Sequence, residues 1–322
     1  MIDAAIVGLG RWGRSLVEAG SAGLRFTRAV EPDLASAASF ATQHGMALTA
    51  DLDSVLADPA IGAVLLATPH SLHPAQVIAC AAAGKPVFCE KPLALTLAEA
   101  RRMLAACEAA GLPLVVGHNR RFWPAMQALR RLVSDGTLGQ VVHVEGHNSN
   151  ENAGAVRAGW RLDPAESPAG GLTGAGLHVL DAFTSLMGPA RRVQARLLSH
   201  KPPPGPVDTL SVLVEFAAGT SGVMATVRDT PFYWRLHVFG TAGSAEVLGE
   251  TTLILRRSGA APETLPIAPT NSLRAELDAF ADLLAQGRPH PIPPAEMLAT
   301  VAAFEAVVAS VSADAPVACT PV

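Results

Sequence analysis

The sequence predicts an α/β fold in two parts: a doubly wound parallel sheet, then a second domain on an open, mostly antiparallel sheet. Three observations carry this. Short apolar runs alternate with helical segments over the first third of the chain. A glycine fingerprint, Gly8-Leu9-Gly10-Arg11-Trp12-Gly13, follows the first run directly. After Gly117 the rhythm changes, and it becomes period two around residue 210.

The first-part strand candidates are Ala4–Val7, Arg25–Val30, Ala63–Ala67, Pro86–Cys89 and Leu114–Val116, with a weaker one at Ala47–Thr49. Pro32 opens a helix that Gly45 stops. Thr96 and Glu99 form a capping box for a helix that Gly111 closes. Past Gly117 the pattern predicts a helix over Pro124 to Ser134 and a strand over Gln140 to His147. A loop from Asn148 to Gly171 follows, then a helix from about Gly174 to Met187. Leu210, Val212, Val214 and Phe216 alternate with Ser211, Leu213 and Glu215, and Val223–Val227 and Leu236–Phe239 read as further strands. Gly219 and Gly243 are expected in the turns between such runs. Pro202-Pro203-Pro204 reads as a loop, and helices are expected near Ser272–Gln286 and Pro294–Ser310. The expected domains are 1–120 and 121–322, with the last helices free to pack back on the first.

The chain has 322 residues, above the length at which one core usually splits in two. A net charge of −4 without a basic stripe argues against nucleic acid as a partner. The first strand begins almost at the initiator, so no secretory signal is expected; no apolar run reads as membrane-spanning, and the expected compartment is the cytoplasm. Cys80, Cys89, Cys107 and Cys319 form no C-x-x-C pair and lack histidines at zinc-ligand spacing, so buried free thiols and no metal are expected.

The fingerprint points to a dinucleotide. Gly8 permits a tight turn, Gly10 lets the backbone approach a pyrophosphate, and Gly13 lets the helix pack on the strand. Leu9, Arg11 and Trp12 complete the loop, and the helix start supplies N–H groups for phosphates. Glu31, ending the second strand, stands where a carboxylate binds a ribose 2′-OH and repels a 2′-phosphate. NAD is therefore favoured, with NADP the alternative because Arg11 and Arg28 could attract a phosphate. Thr68, Pro69 and His73, after the strand at 63–67, are candidate cofactor contacts; capping of the next helix is the competing reading. Glu90-Lys91-Pro92 puts an ammonium at the carboxyl end of a strand, where open α/β sheets bind ligands.

These pieces, with Gly117-His118-Asn119-Arg120-Arg121-Phe122, Trp160-Arg161 and Gly176-Leu177-His178-Val179-Leu180-Asp181, resemble the glucose–fructose oxidoreductase / inositol dehydrogenase / MocA (Gfo/Idh/MocA) family. The resemblance implies a Rossmann domain, a second domain whose sheet forms a homodimer or homotetramer interface, an active site between the domains, and a cis Lys91–Pro92 bond. It implies that Glu90 and Lys91 lie at the cofactor, and that Lys91 contacts a small polar substrate: a sugar, cyclic polyol or derivative. His178 suits the general acid/base role because its ordinary pKa lies near neutrality. Lys91 would hydrogen-bond the same oxygen. Asn119, Trp160 and Arg161 are candidate substrate contacts, and Asp181 is expected either to orient His178 or to pair elsewhere. Many polyol-oxidising relatives carry an aspartate where this chain has Gly174. Two other readings stay open: an NAD-dependent glycosidase working by transient oxidation, as the resemblance implies for some relatives, and a non-catalytic dinucleotide-binding regulator, which the Gly174 departure keeps live.

Overall fold

The computed structural model describes residues 1–150, 159–201 and 207–322. These form two compact units: Met1–Asn119 with Asn271–Met297, and Arg120–Thr270 with Leu298–Val322.

The first unit alternates strand and helix: β1 (Ile2–Val7), α1 (Arg11–Ala19), β2 (Leu24–Val30), α2 (Leu34–Gln43), β3 (Ala47–Thr49), α3 (Leu52–Leu56), β4 (Ala63–Leu66), α4 (His73–Ala82), β5 (Val87–Glu90), α5 (Leu97–Ala109) and β6 (Leu114–Gly117). The six strands run parallel in the order β3-β2-β1-β4-β5-β6. This order reverses between β1 and β4, so the carboxyl ends of those strands form the crevice in which doubly wound sheets bind ligands. β4, β5 and β6 are buried throughout, which is why they read as unbroken apolar runs. Asp33 caps α2 through Ser36 N–H, and Thr96 caps α5 through Glu99 N–H.

The second unit holds α6 (Pro124–Ser134), β7 (Val141–Asn150), α7 (Leu177–Met187), β8 (Ala190–Lys201), β9 (Val207–Phe216), β10 (Ser221–Arg228), β11 (Tyr233–Gly240), β12 (Gly243–Leu248), β13 (Thr252–Arg257) and β14 (Glu263–Pro266). After α8 (Ser272–Gln286), which belongs to the first unit, come α9 (Pro294–Ala313) and β15 (Val317–Ala318). The nine-stranded sheet has the order β14-β13-β12-β11-β7-β10-β9-β8-β15 and is antiparallel except where β10 runs parallel to β7. On its inner face α7 comes so close to β7 that a Cβ at Gly146 would meet the side chains of Val179 and Phe183. Thr300 of α9 shares a 2.7 Å hydrogen bond with Thr184 of α7, and Ser310 accepts the Ala195 N–H.

Several sequence expectations need correction. β7 runs on to Asn150, through residues expected in a loop, because Asn148 and Ser149 are buried on the sheet. Gly243 starts β12 rather than lying in a turn. The helix expected from Gly174 opens with a wide turn over Leu172–Gly176 and becomes α-helical at Leu177. α9 is 20 residues long with a mean hydropathy of 1.5, enough by composition to cross a membrane, against the expectation that no run was. Over half of it is buried in the protein, as befits a core helix. Pro202-Pro203-Pro204, and residues 151–158 of the expected loop, lie outside the described residues.

Candidate functional site

The glycine fingerprint turns tightly. Gly8 has φ +91°, and a Cβ there would sit 2.7 Å from the Ala67 carbonyl oxygen. A Cβ on Gly13 would run into the Gly8 carbonyl oxygen. Only glycine fits either position without moving backbone. Gly10 differs: it is exposed, and a Cβ there would meet nothing within 4 Å. Gly10 caps α1 with no side-chain hydrogen bond, so the first-turn N–H groups are left for a ligand. Leu9 is buried, Arg11 is exposed, and the Trp12 indole N–H is buried with no partner among the described residues. An open concave backbone with uncapped donors fits a dinucleotide pyrophosphate.

Glu31 follows β2 directly, and its Oε2 accepts the Leu9 N–H at 2.8 Å while Oε1 accepts the Asp33 N–H at 3.3 Å. The carboxylate is thus fixed beside the fingerprint.

Thr68 donates its hydroxyl to Gln76 Oε1 at 2.6 Å, one turn into α4. Pro69 precedes the short turn His70–Leu72 that leads into α4. His73 is fully buried, with Nδ1 2.9 Å from the Pro92 carbonyl oxygen and Nε2 3.2 Å from that of Thr68. Its ring braces the loop after β4 against the turn after β5, two segments that each end at the ligand side of the sheet.

That turn carries Glu90-Lys91-Pro92, and the Lys91–Pro92 bond is cis. Glu90 is buried, and its Oε2 accepts the Lys91 N–H at 3.1 Å. Its side chain lies over Gly117, where a Cβ would be 2.7 Å from Oε1. Asn119 donates to Ser272 Oγ at 3.3 Å. The structure therefore gathers the fingerprint, Glu31, the Thr68 loop, Glu90, Lys91 and Asn119 at the carboxyl edge of one sheet.

In the second unit His178 occupies the first turn of α7 and is buried. Asn148 holds the preceding turn by donating to the Ala175 carbonyl at 2.8 Å. Asp181, one helical turn past His178, accepts Arg121 Nε and Nη2 at 2.6 and 2.8 Å. Trp160 and Arg161 lie in a short turn, with the guanidinium 4.2 Å from the indole ring centre. Gly174 has no positive φ, and a Cβ there would enter open space. Trp234 packs edge-on to Trp123 at 5.4 Å, while the neighbouring Phe232 and Tyr233 are exposed.

All four cysteines are free and buried. Burial, reinforced by neighbouring Glu90, pushes the Cys89 thiol well above its usual range, so it is a poor nucleophile. Among the described residues no His, Cys, Asp and Glu cluster could hold a metal ion.

Sequence reasoning missed Arg121 and Asn148 as supports of α7. Only a polar residue at an inward strand position hinted at Asn148.

Two family models match this chain. The Gfo/Idh/MocA oxidoreductase family model, described as an NAD-binding Rossmann fold, matches residues 2–118, and the family's C-terminal domain model matches residues 126–246. A 1,5-anhydro-D-fructose reductase from Ensifer adhaerens is 30% identical over 76% of this chain and 75% of its own length. The pig trans-1,2-dihydrobenzene-1,2-diol dehydrogenase is 30% identical over 67% of this chain, and the match spans only 64% of that protein. Among solved structures, a levoglucosan dehydrogenase bound to NADH and L-sorbose superposes with a TM-score of 0.90 at 22% identity, covering 100% of this chain and 99% of that one, a likeness of fold. Two matched domain models and a relative of this closeness place the chain in the Gfo/Idh/MocA oxidoreductase family, with a first unit of the NAD-binding Rossmann type.

Proposed function

We propose that this protein is an NAD-dependent oxidoreductase that transfers hydride between nicotinamide and a hydroxyl or carbonyl carbon of a small polar substrate: a sugar, cyclic polyol or related diol. The observation that carries this reading is Lys91. It sits at the carboxyl end of β5, in the unit that holds the open glycine loop, and Glu90 fixes its main chain. A dinucleotide-binding module alone has no need of a braced lysine at that edge. The similar reductase and diol dehydrogenase act on carbonyl or hydroxyl carbons by name, which supports the substrate class.

The bound coenzyme supplies the hydride acceptor or donor. When the alcohol is oxidised, His178 takes the hydroxyl proton, and Lys91 donates a hydrogen bond to the oxygen as negative charge develops. Glu31 selects NAD over NADP by charge. Substrate contact is assigned to Asn119, Trp160 and Arg161 as part of this proposal. The outer face of the second sheet carries exposed Leu213 and Val223 side by side, and we assign homo-oligomer contact to it.

The test is a screen of sugars, inositols, diols and hydroxy acids with NAD and NADP, followed by absorbance of the reduced coenzyme. NAD-linked turnover of one class supports the reading. Glycoside cleavage without net NADH formation would replace it with the transient-oxidation mechanism. Tight NADH binding without turnover of any class would replace it with a regulator, the reading that Gly174 keeps open and that the retention of Lys91 and His178 opposes.

A further inference from the structure

Helix α8 returns from the second unit's sequence to cover the first unit's sheet, and one face of it is unusual. Ser272, Glu276 and Phe280 recur at the spacing of one helical turn, and all three are buried. Phe280 packs against Phe88 of β5, with ring centres 5.9 Å apart, and Ser272 accepts from Asn119 just beyond β6. Glu276 lies between these two contacts. On the sheet below, Phe88 and Glu90 project to the same face, since both would meet a Cβ on Gly117. The helix therefore sets a second carboxyl over Glu90, the residue whose Oε2 holds the Lys91 N–H.

Glu276 is wholly inaccessible to solvent, and neither carboxyl oxygen has a hydrogen-bond partner among the described residues. An ionised carboxylate in such a recess loses its hydration and gains nothing, and a like charge at Glu90 opposes it further. Burial first, then Glu90, drives the Glu276 carboxyl well above the usual range. Two facing carboxyls in a dry site settle this conflict by keeping one proton between them.

We propose that Glu276 is a positioning residue for Lys91: its carboxyl remains a neutral acid, shares its proton with Glu90 directly or through one water, and so holds Glu90 against the Lys91 main chain. The proposal deepens the oxidoreductase reading and rests on it only for what Lys91 then does. A carboxylic acid can donate to Glu90 while leaving Glu90 its charge. A glutamine at 276 could do the same, and a leucine could not.

The test compares the full-length protein with Glu276→Gln and Glu276→Leu. Without coenzyme or substrate, the wild type should show the infrared carbonyl stretch of a protonated carboxylic acid at neutral pH, and both variants should lack it. Amide hydrogen exchange at Lys91 should quicken at least tenfold in Glu276→Leu and stay near wild type in Glu276→Gln, by the loss of a hydrogen-bond anchor worth about a factor of ten. In turnover, displacement of Lys91 by about 1 Å should lower kcat by up to ~100-fold in the leucine variant. NADH affinity should be unchanged, and Glu276→Gln should restore most of kcat. Absence of the acid band, or a Lys91 amide equally protected in both variants, overturns the proposal. If the wild type shows the band and the protection pattern yet oxidises nothing, the pairing stands and the oxidoreductase reading falls. If Glu276→Leu does not fold, the infrared band and Glu276→Gln still decide: persistence of the band in Glu276→Gln excludes Glu276 as its source.

Discussion

Arg121 and Asp181 form a two-bond ion pair, at 2.6 and 2.8 Å, with both side chains about 5% exposed or less. It ties the segment after β6 to α7, one turn beyond His178. Removing one partner strands a buried charge. Asp181→Ala should therefore cost roughly 3–5 kcal/mol, read as a lower urea midpoint. Replacing both, Arg121→Met with Asp181→Leu, should recover most of that loss.

Lys91→Met and His178→Asn should each lower kcat by about 10²–10⁴-fold while NADH still binds, because both are assigned to proton and charge handling at the reacting oxygen. Fluorescence titration with NADH beside steady-state kinetics separates the two effects. Near-native turnover in both variants would dismiss the assignment.

The fingerprint glycines should respond differently. Gly13→Ala forces a methyl against the Gly8 carbonyl and should lower stability by about 1–3 kcal/mol or more. Gly10→Ala meets open space, so the melting temperature should hold while NADH affinity falls. Calorimetry and NADH titration on the two variants check this.

Glu31→Ala removes the carboxylate that accepts the Leu9 N–H. Loss of a charged hydrogen bond of about 1.5 kcal/mol should weaken NADH roughly tenfold. NADPH should weaken less, since repulsion of its 2′-phosphate is relieved. A dissociation-constant ratio unchanged by the substitution would remove Glu31 from coenzyme selection.

His237 gives a pH prediction. Its Nδ1 accepts from Arg235 Nη2 at 3.0 Å, and its Nε2–H donates to Ser244 Oγ at 2.9 Å, an arrangement only the neutral ring can make. Burial lowers its pKa from the ordinary 6.5 to about 4; Glu246 pulls upward, and the Arg235 and Arg256 charges push down. Below 6.5 the unfolded chain takes up a proton that the folded chain refuses until about 4. Stability is thus greatest above that window and falls as pH drops through it, by about 2 kcal/mol after allowance for solvent screening. His237→Gln should flatten this part of the stability–pH curve in urea titrations.

The first unit was legible because its strands are buried on both faces and so appear as apolar runs between capped helices. The second sheet was read in part. β8 alternates Arg192, Gln194 and Arg196 with Val193 and Ala195, and the dense charge hides the period. The end of β7 looks like a loop because Asn148 and Ser149 are polar, yet Asn148 is inward and spends its amide on the Ala175 carbonyl. At the candidate site the local motifs were visible, since each lies within a few residues. Arg121 with Asp181 and Glu276 with Glu90 were not, because each pair joins distant positions and a single sequence shows no partner. Glu276 did leave a trace, an acid in the buried stripe between Ser272 and Phe280.

The return of Asn271–Met297 to the first unit sets an order on biosynthesis. The ribosome releases Met1–Asn119 well before the helix that roofs Phe88 and Glu90. At roughly 5–20 residues per second, the nascent sheet waits on the order of ten seconds with an apolar face and a carboxylate uncovered. Chaperones have that interval in which to bind, and a fragment cut at residue 119 would remain in that state permanently.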